Sequence, residues 1–243
     1  MTSREATSLL PRAEVRNGRR WRDRAAVIAF GAIQWPWLLR SLDGGSEKDR
    51  HALLDELDLP RDALPNLGSW KADVGLLRLV SDHIAAHRPK VMVEFGAGAS
   101  TLVAARALQR AGGGRLYSFE QHEDFVEATR RWLAEYGLDA EIRAAPLAPT
   151  SGWPGLWYQH GPLPERIDLL VVDGPPWTIH PLTRGAADGL FDRIAVGGTV
   201  MLDDAARPGE RLVARRWRKR WPNFQFRLDK SGSKGTLIGT RLR

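Results

Sequence analysis

Four short apolar runs in this 243-residue chain end in acids or glycines, residue types that could do chemistry together. Val91 to Phe95 contains Glu94 and runs into Gly96-Ala97-Gly98-Ala99-Ser100-Thr101. Two glycines let a backbone turn tightly and approach a ligand, and the helix start that follows offers unpaired N–H groups. Leu116 to Phe119 ends in Glu120, 24 residues beyond Gly96, a position suited to accept hydrogen bonds from both hydroxyls of a ribose. The implied ligand is an adenosine nucleoside. Further on, Asp168 to Val172 ends in Asp173-Gly174-Pro175-Pro176-Trp177, and Gly198 to Leu202 ends in Asp203-Asp204. On neighbouring parallel strands these three carboxylates would crowd one sheet edge, which is costly unless a proton or cation lies between them. An all-oxygen trio suits Mg²⁺ or Ca²⁺. Taken singly, each has a plainer use: Asp203 or Asp204 as a helix cap, Asp173 as the order of a Pro-Pro turn.

These endings converge only if the runs that carry them lie parallel. From residue 90 the pattern repeats strand, glycine turn, helix: strand 91–95, helix 100–110, strand 116–119, helix 123–136, strand 140–144, buried strands 167–172 and 199–202, with helical segments after each of the last two. Such alternation specifies an α/β fold, a Rossmann-like doubly wound sheet with helices on both faces and ligands outside the carboxyl ends of its strands. Residues 224–228 and 236–240 flank Lys230-Ser231-Gly232-Ser233 and read as an antiparallel hairpin closing the sheet. The stretch 146–166, rich in Pro, Gly and aromatics, has the length of a binding loop or lid.

Residues 1–89 are expected to form an N-terminal helical extension packed on a main domain of residues 90–243. Ala25 to Leu39 is an uncharged run of 15 residues, about 22 Å if helical, short of a bilayer core and interrupted by Gln34 and Pro36. With no cleavage-site pattern after it, a cytoplasmic protein is expected. The net charge of +7 is concentrated in residues 1–40 (+5) and 207–220 (+6), which suits an anionic partner or solvated faces alike. A membrane-surface contact through 19–40, with Trp35 and Trp37 at its edge, is the functional option for the first segment, and helix packing the plainer one. Zero cysteines exclude disulfides and thiolate chemistry. His83 and His87 stand at i and i+4, but Ile84 occupies the place of the glutamate that a zinc-protease helix needs.

The acid two residues before the first glycine and the closing hairpin resemble class I S-adenosylmethionine-dependent methyltransferases, whose sheet has seven strands and ends in such a hairpin. The resemblance covers about residues 90 to 242 and implies that Glu94, Gly96 and Gly98, with Ser100 and Thr101 behind them, surround the methionine part of that cofactor. It further implies Glu120 on the ribose, and Gln121, His122 and Ala145 beside the adenine. A sulfonium also suits this acid-rimmed crevice better than a pyrophosphate, which Glu94 would repel. Asp173, Asp203 and Asp204 are similar to the metal-binding aspartates of catechol-type O-methyltransferases. That similarity implies a Mg²⁺ or Ca²⁺ ion that draws in a small-molecule methyl acceptor and acidifies its hydroxyl, with Asp173 also near the cofactor. Those enzymes carry a lysine base three residues beyond the first aspartate, where this chain has Pro176. His180 is the nearest titratable substitute, unless it only closes a turn before Pro181.

An NAD-dependent dehydrogenase is the most remote alternative, since its dinucleotide fingerprint wants a third glycine where this chain has Thr101; two other readings compete more closely. Asp-Gly-Pro-Pro-Trp resembles the Asp-Pro-Pro-Trp of nucleic-acid amino-methyltransferases, and the basic helix 207–221 favours such an acceptor, but the inserted Gly174 displaces the carboxylate and the Asp203-Asp204 pair has no job there. Nucleic acid is therefore disfavoured. A nucleoside-binding module without catalysis is the other. Oligomeric state is open.

Overall fold

A computed structural model describes residues 21–243; the residues before Trp21, with five of the eight arginines of the basic N-terminal stretch and part of the 19–40 segment, lie outside the described residues. Seven strands form one sheet: β1 (Val91–Phe95), β2 (Arg115–Glu120), β3 (Glu141–Ala144), β6 (Ile167–Val172), β7 (Ile194–Leu202), β8 (Phe224–Asp229) and β9 (Thr236–Arg241). Their order is β3-β2-β1-β6-β7-β9-β8, parallel through β7, with β9 antiparallel to both its neighbours. The doubly wound sheet and its closing hairpin are those expected from the pattern of apolar runs.

Register is what makes this sheet useful. Phe95 pairs with Phe119 on one side and Val172 on the other, and Val172 pairs with Leu202. The next residues along each chain, Gly96, Glu120, Asp173 and Asp203, therefore emerge in a row at the carboxyl edge. The adjacent bends are also tied together: the N–H groups of Asp173 and Gly174 donate to the Phe95 carbonyl at 2.9 and 2.8 Å, and the Gly96 N–H donates to the Phe119 carbonyl at 2.8 Å.

One face of the sheet is covered by α3 (Val74–His87), α4 (Ala99–Arg110) and α5 (Glu123–Glu135). The short helix α2 (Glu47–Glu56) joins the same core through Leu53 and Leu54, so the N-terminal helices and the sheet share apolar packing. α3 starts where Asp73 accepts the Leu76 N–H at 2.8 Å and ends at Arg88, left-handed ahead of Pro89. The other face carries the 3₁₀ segment Thr183–Arg193 and α6 (Pro208–Arg220), whose fully buried Trp217 donates from its indole nitrogen to the Gly185 carbonyl at 2.9 Å. α1 (Trp21–Arg40) packs against α6, with Arg211 over Trp37, and Gly31 lies beside Trp177. Its other side exposes Trp21, Ile28, Trp35 and Leu39. No described helix is long and apolar enough to cross a membrane.

The structure departs from the sequence expectation in two places. The 146–166 stretch contains an antiparallel ribbon, β4 (Leu147–Pro149) with β5 (Leu156–Tyr158), because Trp157 and Tyr158 bury their rings against Phe95 at 4.8 and 5.2 Å. β7 begins at Ile194 rather than near Thr199, continuing through Gly197-Gly198 across an irregular register with β6.

Gly96 sits at φ +102, and a Cβ there would lie 3.1 Å from the Gly174 nitrogen and 3.2 Å from the Asp173 carbonyl carbon. Both the conformation and the contact are with rigid backbone. Gly96→Ala is expected to cost about 1–3 kcal/mol and to lower the melting temperature by several degrees, whereas Gly189→Ala, facing open space, leaves it nearly unchanged. Thermal unfolding of the two variants checks this; equal melting temperatures would contradict it.

Candidate functional site at the carboxyl edge of the sheet

The aligned strand ends form a cleft lined by the bend Gly96 to Ser100, by Glu120 and Gln121, and by Tyr158, Asp173 and Arg184. Trp70, Lys71 and Ala72, from the connection ahead of α3, close it from the side. Of the residues expected around a cofactor, Gly96, Gly98, Ser100, Glu120, Gln121 and Asp173 line this one cleft.

Glu94 and Thr101 stand behind the bend and shape it. Glu94 is fully buried, and its Oε2 accepts from the Thr101 hydroxyl at 2.6 Å and the Ser118 hydroxyl at 2.8 Å. The same Thr101 oxygen accepts the Gly98 N–H at 2.9 Å, so the acid inside β1 holds the glycine turn through one intermediary. Oε1 of Glu94 is buried without a hydrogen-bond partner among the described residues. Burial pushes the Glu94 carboxyl up to about 7, against the opposing effect of the Ser100, Thr101 and Ser118 hydroxyls.

At the end of β2, Glu120 is 3% exposed and accepts the His122 N–H at 3.1 Å, which orients its carboxylate at the cleft. His122 itself starts α5 and meets Gln121 side chain to side chain at 2.9 Å. Ala145 is buried and donates its N–H to the Glu120 carbonyl at 2.8 Å. Neither His122 nor Ala145 is among the residues lining the cleft.

The three aspartates do converge: one oxygen from each of Asp173, Asp203 and Asp204 lies within 4.8 Å of the others. Between them, however, stand cationic side chains. Arg184 donates to Oδ2 of Asp204 at 2.8 Å and pairs with Oδ1 of Asp173 at 3.4 Å, and it also donates to the carbonyls of Asp173, Pro175 and Asp203. Arg207 reaches Oδ1 of Asp204 at 2.8 Å, and Nζ of Lys234 lies 3.8 Å from Asp203 and 3.9 Å from Asp204. All three cations are buried. Burial pushes the Asp204 carboxyl up, but Arg207, Lys234 and Arg184 outweigh it and hold the group down to about 2. Asp203 moves the other way, raised well above the carboxylate range by burial and by the charge of Asp204. Glu210, buried beside Arg207, is pushed up to about 7 by burial.

His180 is buried, and its Nδ1 accepts the Leu182 N–H at 3.0 Å, the turn-closing arrangement a histidine before proline can adopt. It does not line the cleft. Three residues that do were not singled out from the sequence. Tyr158 was legible only as part of an aromatic stretch; it lies against Gly174, where a Cβ would come within 2.1 Å of its hydroxyl, and its phenol is raised well above its ordinary value by burial and by Glu120. Arg184 and Lys71 carried no motif at all.

Known proteins resemble this arrangement. A family model described as a methyltransferase domain matches residues 93–205. No functionally curated protein matches the chain. Among solved structures, a methyltransferase from Geobacter sulfurreducens is 20% identical with a TM-score of 0.52, over 80% of this chain and 86% of that one. The O-methyltransferase TomG from Streptomyces achromogenes, involved in tomaymycin synthesis and solved with S-adenosylmethionine, is 16% identical with a TM-score of 0.53, over 91% and 98%. An O-methyltransferase from Bacillus cereus, solved with S-adenosylhomocysteine, is 14% identical with a TM-score of 0.55, over 88% and 99%. At these identities the likeness is one of fold. Residues 93–205 are thus similar to a methyltransferase domain, and the strand order and closing hairpin belong to the fold seen in these methyltransferase structures.

Proposed function

We propose that the cleft binds S-adenosylmethionine and that the chain transfers its methyl group to a hydroxyl of a small molecule without help from a divalent cation. The observation that carries the reading is the joint lining of one cleft by the glycine bend after β1 and by Glu120 after β2. Glu120 would take the ribose hydroxyls, the bend would admit the methionine part, and the rim carboxylates would favour a sulfonium. The O-methyltransferase names of two structural neighbours support a hydroxyl as methyl acceptor.

The reading does without a metal ion because cationic side chains already stand at the aspartate trio. Arg184, Arg207 and Lys234 already face Asp173 and Asp204, while Asp203 is held toward its neutral form. A dication entering there would meet Arg184 and Arg207 on Asp204 and would have to displace a guanidinium from a 2.8 Å contact. In this reading an internal set of cations, Arg184, Arg207 and Lys234, takes the place at Asp173, Asp203 and Asp204 that the sequence reserves for Mg²⁺ or Ca²⁺.

Transfer then rests on positioning and one proton. The methyl acceptor's oxygen attacks the sulfonium methyl carbon in line, the carbon–sulfur bond breaks, and S-adenosylhomocysteine leaves as a neutral thioether. Asp173, which lines the cleft with its side chain 12% exposed, is the carboxylate that takes the hydroxyl proton. The buried Tyr158 phenol stays protonated and can donate to an oxygen in the cleft.

S-adenosylhomocysteine should bind in calorimetric titration, and Glu120→Ala should weaken it at least tenfold; no binding at millimolar ligand would overturn the reading. Because a cationic ligand over the bend favours the ionised form of Glu94 behind it, affinity should rise between about pH 6 and 8, and Glu94→Gln should flatten that dependence. Without ligand the sign reverses: Glu94 favours the folded state below its ordinary range, and that contribution is lost as pH rises through about 7. Turnover over a panel of phenols, catechols and hydroxylated metabolites should be insensitive to chelator. Asp173→Asn should lower it at least 100-fold with S-adenosylhomocysteine affinity within threefold; restoration of turnover by added Mg²⁺ after chelation would contradict the metal-free assignment.

A further inference from the structure

α1 buries one side against the body of the protein and leaves the other bare. Gln34 is fully buried, Val27, Phe30 and Trp37 are partly buried, and Arg211 of α6 lies over the Trp37 ring at 5.6 Å. On the far side Trp21, Ile28 and Trp35 recur every seven residues, two helical turns, and Leu39 follows Trp35 at i+4, so four large apolar side chains make one stripe. Of the two tryptophans that the sequence sets at this edge, Trp35 faces out and Trp37 in. Trp21 and Ile28 are each 74% exposed, and no charge interrupts the stripe between Arg24 and Arg40. Single exposed apolar residues are ordinary, whereas an aligned row of them marks a contact surface. The neighbouring helix supplies charge. α6 packs against α1, and on it Arg211, Arg215 and Arg218 recur at i, i+4 and i+7, all exposed. Arg207 and Arg220 are engaged by Asp204 and Asp188, but these three have no carboxylate in ion-pair range among the described residues. Along α1 itself the exposed Arg22, Arg24 and Arg40 bracket the stripe, and the sequence ahead of Trp21 adds five arginines against two acids.

We propose that α1, together with the arginine row of α6, docks the protein on a membrane surface carrying anionic lipid, with Trp21, Ile28, Trp35 and Leu39 set between the headgroups and the upper acyl chains. The inference stands independently of the cofactor reading. A helix that lies in a lipid interface combines the two properties found here: large apolar side chains with tryptophans on one side, and guanidinium groups placed to meet lipid phosphates. It lies on the bilayer rather than crossing it, since no described helix is long and apolar enough to cross. Charge decides between this occupant and two others. A second copy of a chain with net charge +7, seated on the same stripe, would bring its own arginine row alongside this one. A nucleic acid would suit the arginines, but its phosphates would then face 15 uncharged residues with no cation to meet them. A bilayer with anionic headgroups matches both the apolar and the basic part.

The test is co-sedimentation of the full chain with large vesicles, one set of phosphatidylcholine alone and one containing about 30% phosphatidylglycerol. The wild-type chain should bind the anionic vesicles at least tenfold more tightly, and raising salt from about 0.1 to 0.5 M should weaken that binding. Ile28→Ser combined with Trp35→Ser, which leaves the charge unchanged, should weaken binding to the anionic vesicles at least tenfold. Arg215→Gln combined with Arg218→Gln should bring the two vesicle types closer together. All four side chains are exposed, so melting temperatures within a degree or two of wild type report that both variants are folded. A wild-type chain that binds neither vesicle, a serine variant that binds as the wild type does, or a glutamine variant that keeps the full preference would overturn the proposal. A dimer seen by sedimentation velocity without lipid and lost in the serine variant would assign the face to a second copy instead. Tighter binding to a DNA duplex than to the anionic vesicles, lost in the same variant, would assign it to nucleic acid; either result also overturns the membrane assignment.

Discussion

The carboxyl edge of this sheet is governed by one constraint: buried acids brought level by strand register must each meet a compensating charge or a proton. Phe95, Phe119, Val172 and Leu202 lie side by side in the register, so the residues after them cannot avoid one another. The chain resolves the crowding differently at its two halves. Glu94 sits among hydroxyls with one oxygen unpaired, a state that a cationic ligand can complete. The Asp203-Asp204 half is faced from within by Arg184, Arg207 and Lys234, while both Asp203 oxygens are buried without a hydrogen-bond partner among the described residues.

These internal cations come from three separate elements: the 3₁₀ segment, the start of α6 and the turn between β8 and β9. Lys234 then passes the connection on to the Lys71 carbonyl ahead of α3. Buried ion pairs of this sort contribute little net stability against apolar packing, but loss of one partner leaves a stranded charge, so they fix geometry strongly. The result is a cleft whose floor is the sheet edge and whose side wall belongs to the N-terminal extension, held in place by the same network that neutralises the aspartates.

Much of this was legible in the sequence, for identifiable reasons. Apolar runs bounded by glycines located the parallel strands, and because acids stood at the ends of those runs, parallel register alone implied that Glu120, Asp173 and Asp203 would share an edge. The roles of Lys71, Arg184 and Lys234 were not legible. Each lies far along the chain from the strand ends it stands beside, on a loop, an irregular 3₁₀ segment and a hairpin turn, where no periodicity announces which way a side chain points. That gap also explains why the aspartates suggested a metal ion: three acids without visible partners call for an external cation, and the partners became apparent only in three dimensions. Tyr158 is intermediate, since its aromatic neighbourhood stood out but the ribbon that turns it under Gly174 did not.

The most direct measurement is a crystal structure grown with S-adenosylhomocysteine and Mg²⁺ together. The account predicts the ribose hydroxyls on Glu120, the thioether chain over the bend at Gly96 to Ser100, and Arg184 still lodged between Asp173 and Asp204 with no ion among them. A ligand bound elsewhere, or an octahedral ion that has pushed Arg184 aside, would contradict it.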